Sequence, residues 1–184
     1  PKWAPWVGLA VVAIAIVVAL AVFSGAKKGD ALTVVPGVGT AVDRQTAEHV
    51  TPGQTVTDYN SIPATSGRHW GTTALCGVYD LPLRDEQVVH NLEHGNVVIS
   101  YNLKDAGQVS ALKELARRLP AWDQWGVLRP YDKLQDGEVA MTAWGVLDKF
   151  PGSDEARVKK FWDAYAHNRF SAEARGEGPI PCSS

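Results

Sequence analysis

The sequence predicts an α+β fold, with one N-terminal transmembrane helix followed by one small mixed-sheet domain carrying two packed helices. Three observations predict it. An uncharged stretch runs from Trp3 to Ala26. Beyond it, short β-branched runs alternate with two segments whose apolar residues recur at helical spacing. No internal repeat or low-complexity tract interrupts that alternation. The chain therefore divides into an anchor at 1–28, a linker and first strand at 29–44, and an extracytoplasmic α+β domain at 45–184.

The anchor comes first. From Ala10 to Phe23 the chain is apolar on every face, and about 20 such residues cross a bilayer core of about 30 Å. Ser24-Gly25-Ala26 imitates a cleavage site, but a cleavable signal has an apolar run of only about 7 to 15 residues. Trp3 and Trp6 suit a membrane interface, so a retained single-pass anchor is expected. Lys27 and Lys28, opposed only by Lys2, would by themselves place the following side in the cytoplasm. Cysteine usage points the other way. Cys76 and Cys182 are far apart and in no Cys-x-x-Cys arrangement, which suits one structural disulfide in an oxidising compartment; the other reading is two unrelated buried thiols. The expected location is the cell membrane, with the C-terminal domain outside the cytoplasm. A net charge of −2 without a basic run argues against nucleic acid as a partner.

Residues 30–39 mix β-branched residues, Pro36 and two glycines, reading as a linker that becomes an early strand. Gln45 to Tyr59 is polar, with a turn at Thr51-Pro52-Gly53-Gln54, and Gly67 to Gly77 is loop-like. Val97-Val98-Ile99-Ser100-Tyr101 is a strand, too short and too β-branched for a helix. Val109, Leu112, Leu115, Ala116 and Leu119 define an amphipathic helix from Ala106 to Leu119, ended by Arg117, Arg118 and Pro120. Strands follow at Gly126–Tyr131 and Glu138–Trp144, with a turn at Gln135-Asp136-Gly137 between them. Ser153 starts a last helix, Asp154 to His167, which buries Val158, Phe161, Trp162 and Tyr165. After residue 95 the expected order is β-α-β-β-α, with the helices on one face of the sheet. The loop Pro120-Ala121-Trp122-Asp123-Gln124-Trp125 reads either as a docking surface or as a cover over the core.

The chemistry concentrates in His90-Asn91-Leu92-Glu93-His94-Gly95. Imidazoles at i and i+4 share one face of a helical turn and can address one ion, which leaves Glu93 to orient a ligand or move protons. Two such imidazoles repel when protonated, so the pairing itself favours a metal. His69, in the turn-rich run Pro63 to Trp70, is a third candidate ligand, and His49 a fourth. His167 reads as a structural residue. Met141, the only methionine, is either a core gap-filler or a thioether ligand that would select copper, Cu(I) above all, over zinc.

Other chemistries fit less well. His90-Asn91-Leu92-Glu93-His94 matches the H-x-x-E-H pattern of inverted zinc proteases. That pattern belongs inside a long helix, whereas Gly95 and a strand follow here, so a zinc hydrolase using Glu93 is the minor alternative. A blue-copper centre needs a Cys closely followed by His and Met, which neither cysteine has. A cysteine nucleophile would be consumed by the disulfide.

Pro63-Ala64-Thr65-Ser66-Gly67-Arg68-His69, Gly77-Val78-Tyr79, His90 to Gly95 and Thr142-Ala143-Trp144-Gly145 resemble the successive PTSGxH, GVY, HxLEHG and TAWG signatures of a bacterial, mainly actinobacterial, membrane-anchored family of unknown function. The resemblance covers His49 to Trp144, with Ala64 departing from the usual Pro-Pro-Thr-Ser-Gly run. It implies an outward-facing domain on a membrane anchor and company with copper handling. The resulting expectation is a non-enzymatic accessory protein that binds copper, or alternatively zinc. It would deliver copper to a larger membrane enzyme complex or stabilise that complex; the alternative is a purely structural subunit without metal.

Overall fold

The computed structural model describes residues 34–167 and 178–182, so the expected anchor at 1–28 lies outside the described residues. Among the described residues no helix is long and apolar enough to cross a membrane. The strands are β1 (Thr40–Ala41), β2 (His49–Val50), β3 (His69–Trp70), β4 (Gly77–Val78), β5 (Val97–Tyr101), β6 (Gly126–Pro130), β7 (Glu138–Ala143) and β8 (Val146–Pro151). The helices are α1 (Asp85–Glu93), α2 (Ala106–Arg118), the single turn α3 (Trp122–Trp125) and α4 (Glu155–Tyr165).

Six strands form one mixed sheet in the order β1-β8-β7-β5-β6-β4. β5, β6 and β4 run parallel, which the α2 crossover permits, and β5, β7, β8 and β1 alternate antiparallel. β2 and β3 form a separate parallel pair in which His49 stands beside His69.

Strand alternation gives the sheet two different faces. Val97, Ile99, Leu128 and Met141 point to one side, where Leu112, Leu115 and Ala116 of α2 and Val158, Phe161 and Trp162 of α4 close the main core. Val98 and Val127 point to the other side, against Val88, Val89 and Leu92 of α1 and the Trp144 ring. Helices therefore cover both faces, not one as the sequence predicts, and α1 and α3 add to the two expected.

α1 was hidden because its buried residues include Asp85, Glu86, His90, Asn91 and Glu93 as well as its three apolar ones, which blurs the amphipathic period. Two acids in its first turn complement the helix dipole. Gly95 ends it at φ 91°, with its N–H on the Leu92 carbonyl at 3.0 Å. β8 also departs from the expected order. Its buried Asp148 and exposed Lys149 disguise a strand, and Arg157 of α4 satisfies Asp148 through an Nε bond of 2.8 Å.

α2 spans Ala106–Arg118, capped by Asp105, and α4 is capped by Asp154, one residue beyond the expected Ser153. Trp122 is 6% exposed and packs against Trp162 at 5.4 Å between ring centroids, so it serves the core and not a docking surface. Trp125 lies against His167.

Candidate metal centre

His90 and Glu93 sit on α1 one turn apart, and the register of β2 with β3 carries His49 and His69 to the same place. One ligand atom from each of His49, His69, His90 and Glu93 lies within 4.8 Å of every other. The ring centroids agree: 4.9 Å from His49 to His69, 4.8 Å from His49 to His90 and 5.0 Å from His69 to His90. Thus residues some forty positions apart converge on a volume the size of one ion.

His69 is wholly buried, with the Trp144 ring edge-on at 6.3 Å. Its Nδ1 lies 2.7 Å from the Gly67 carbonyl. A carbonyl only accepts, so Nδ1 carries the proton and Nε2 is the basic nitrogen. That nitrogen faces Glu93 Oε2 at 2.8 Å. A proton or a metal ion between these two atoms would satisfy both of them. A backbone carbonyl fixing the far nitrogen of an imidazole is how proteins orient histidine ligands. The same Glu93 oxygen lies 3.5 Å from His49 Nε2.

Glu93 is 3% exposed and His90 6% exposed. Burial works to raise the Glu93 carboxyl, but the hydrogen bond and charge of His69, with His90 and His49, hold it below the ordinary range. Burial, then the neighbouring His94, His69 and His49 rings, pushes His90 down from 6.5 to about 4. His90 is therefore neutral at pH 7, the form that binds metals. Its Nδ1 is buried and has no hydrogen-bond partner, a state that costs free energy unless something supplies a partner. By contrast, the His49 side chain is 48% exposed and forms the solvent side of the cluster.

His94 caps α1, and its ring lies 4.5 Å from that of His90, at the edge of the group. Met141 does not join them. It pairs with Ile99 and points into the main core on the opposite face of the sheet, as the strand period requires. Its role is packing, and the thioether argument for Cu(I) goes with it. Cys76 and Cys182 are bonded to each other, so neither is a nucleophile or a ligand.

Sequence reasoning missed how the ligands are held. Trp144 was visible only as part of a recurrent segment, and the Gly67 carbonyl leaves no side-chain signal. Nothing in the sequence singles out Asn91, yet its buried amide bonds both backbone groups of Ala74 at 2.9 Å.

The family model described as "Protein of unknown function (DUF3105)" matches residues 49–178, and the chain belongs to that family. The matched span begins at His49 and includes every member of the cluster. No curated protein and no solved structure matches the chain.

Proposed function

We propose that this domain binds one divalent transition-metal ion through His49, His69, His90 and Glu93, and that it acts as a metal-handling accessory protein and not as an enzyme. The observation that carries the reading is the convergence of four ligand groups around a basic His69 nitrogen already oriented by Gly67. Three imidazoles and one carboxylate form a borderline donor set without sulfur. Such a set suits Cu(II) and Zn(II), and the affinity order of divalent ions puts Cu(II) first. The copper expectation thus survives in its oxidised form, on imidazole chemistry alone.

The arrangement also speaks to exchange. His90 and Glu93 are fixed on a helix and the His69 side chain is wholly buried, whereas the His49 side chain stands half in solvent. A delivery protein needs such an open side, while a purely structural site is closed. Glu93 Oε2 faces two imidazoles, which makes it a ligand and leaves it poorly placed as the base of a zinc hydrolase. An anchored accessory role beside a larger membrane complex would follow from the apolar stretch 10–23, since tethering raises the effective concentration at a partner.

The test is metal content of the full chain purified in mild detergent. One copper or zinc per chain is expected, lost in His90→Ala and retained in Met141→Leu. Competition between the two ions then decides the metal. A chain that stays metal-free after exposure to either ion would end the reading and favour a structural subunit.

A further inference from the structure

We propose that the Cys76–Cys182 disulfide is a redox latch on the metal centre, so that its reduction by a dithiol speeds release of the bound ion. The inference rests on the metal-binding reading above. It comes from a closed ring of contacts around the last turn of α1. Asn91, between His90 and Leu92, accepts from the Ala74 N–H and donates to the Ala74 carbonyl, both at 2.9 Å. The same amide donates to Asn96 Oδ1 at 3.1 Å. Asn96 Nδ2 donates to the Ile180 carbonyl at 3.0 Å, and the Ile180 N–H donates to the His94 carbonyl at 2.9 Å. Two residues beyond Ile180 comes Cys182, whose carbonyl accepts from Cys76 N–H at 2.8 Å, and the disulfide leads back to within two residues of Ala74.

The turn that carries His90 and Glu93 is thus gripped from two sides, by residues 74–76 and by residues 178–182. The bridge joins those two grips across 106 positions of sequence. While it is intact, a grip that opens is held close to its site and closes again at once. When it is cut, residues 178–182 keep the burial of Cys182 and a few hydrogen bonds, among them Cys182 N–H to the Gln124 carbonyl at 2.9 Å, but nothing covalent holds them to residues 74–76, so an opened grip closes more slowly. Each opening parts Asn96 Nδ2 and the His94 carbonyl from Ile180, and the ligand-bearing turn loosens. A metal centre tolerates only small displacements of its ligands.

The chemistry balances. A thiolate of the dithiol attacks Sγ of half-buried Cys76, beside Leu75 at 57% exposure, and Cys182 leaves as thiolate. The second reductant thiol attacks the mixed disulfide and expels Cys76. Two electrons pass to the cysteine pair, the reductant ends as a disulfide, and its two protons end on Cys76 and Cys182.

The experiment loads the full chain in detergent with Zn(II) and follows release into an excess of a colorimetric chelator. Wild type is compared with Cys76→Ser/Cys182→Ser and with Asn96→Ala, which keeps the bridge but cuts the grip; near-ultraviolet circular dichroism reports the fold. Release about ten- to a hundredfold faster is expected in the double variant, and a smaller acceleration in Asn96→Ala. Release at the wild-type rate from a natively folded double variant overturns the latch. Should the double variant not fold, a wild-type rate in Asn96→Ala overturns it. A wild-type chain that takes up neither Zn(II) nor Cu(II) overturns the metal reading, and the latch with it; one that takes up Cu(II) alone is loaded with Cu(II) for the same release assay.

Discussion

The two ends of α1 both bury charge, and they treat it in opposite ways. At the N-terminal end Asp85 accepts from Arg129 at 2.6 Å, from Tyr131 Oη at 2.6 Å and from Lys133 at 3.2 Å. Arg129, wholly buried, spends its remaining donors on Ser100 Oγ and the Leu83 carbonyl, with its guanidinium 4.3 Å over the Tyr131 ring. Every partner there is supplied by the fold. At the C-terminal end His90 Nδ1 has none, and one Glu93 oxygen faces both His69 and His49. One helix therefore separates a polar cluster that completes itself from one that could hold a cation. Satisfaction, and not burial, separates the two ends of this helix.

The largest expected effect tests the self-contained end. Asp85→Ala leaves the Arg129 guanidinium buried without its carboxylate, which costs about 3–5 kcal/mol. Urea unfolding of the metal-free chain measures it. A loss below about 1 kcal/mol, the scale of exposed ion pairs, would mean that the N-terminal cluster is not the structural half of the comparison.

Metal addition tests the other end. At free metal one hundred times its dissociation constant, an ion that binds only the folded chain stabilises it by about 2.7 kcal/mol. Thermal unfolding with and without Cu(II) or Zn(II) should show that gain in wild type and Asp85→Asn alike, and not in His90→Ala. Equal gains in wild type and His90→Ala would place the ion elsewhere.

Much of this was legible before any coordinates. His90 and His69 stand out by spacing and by neighbouring turn residues, whereas His94, the other half of that spacing, sits beside His90 at the edge of the group; the α2 and α4 periods are plain. Other features resisted for physical reasons. Four strands of two residues each, β1, β2, β3 and β4, are too short for any alternation to show. β2 and β3 exist only because they pair, which is what brings His49 to the site. α1 buries polar residues on most of its surface, so a moment-based reading cannot see which way it faces. Arg129 and Asp85 lie 44 positions apart, and nothing local marks them as partners. Met141 misled because residue type suggested copper, while strand parity, which decides its face, depends on a register the chain does not announce.

A pH series sharpens the comparison through His90. Burial first, then His94, His69 and His49, sets its folded pKa near about 4, below the ordinary 6.5. The unfolded chain therefore binds that proton more tightly. The stabilisation from keeping His90 neutral is complete above about 6.5 and is lost as pH falls through about 4. Metal-free wild type should lose stability relative to His90→Ala across that window. A difference between the two proteins that stays flat from pH 7 to pH 4 would show that the ring is not held neutral by its surroundings.

The smallest expected effect lies across the sheet. Met141 packs among Val97, Phe161 and the other residues of the main core, so Met141→Leu exchanges one flexible apolar side chain for another of similar volume. Such exchanges cost less than about 1.5 kcal/mol, and metal content, release rate and the pH window should all stay at wild-type values. The sheet makes this a demanding prediction. Thr142, the next residue, pairs with Val98 on the α1 side and donates to its carbonyl at 3.3 Å, so one residue of register separates the apolar face from the face that carries the histidines. A slip of that size would turn Met141 toward the imidazoles. Loss of copper in Met141→Leu with zinc retained would therefore show that the thioether reaches the ion, against the register of β7 with β5 and β8.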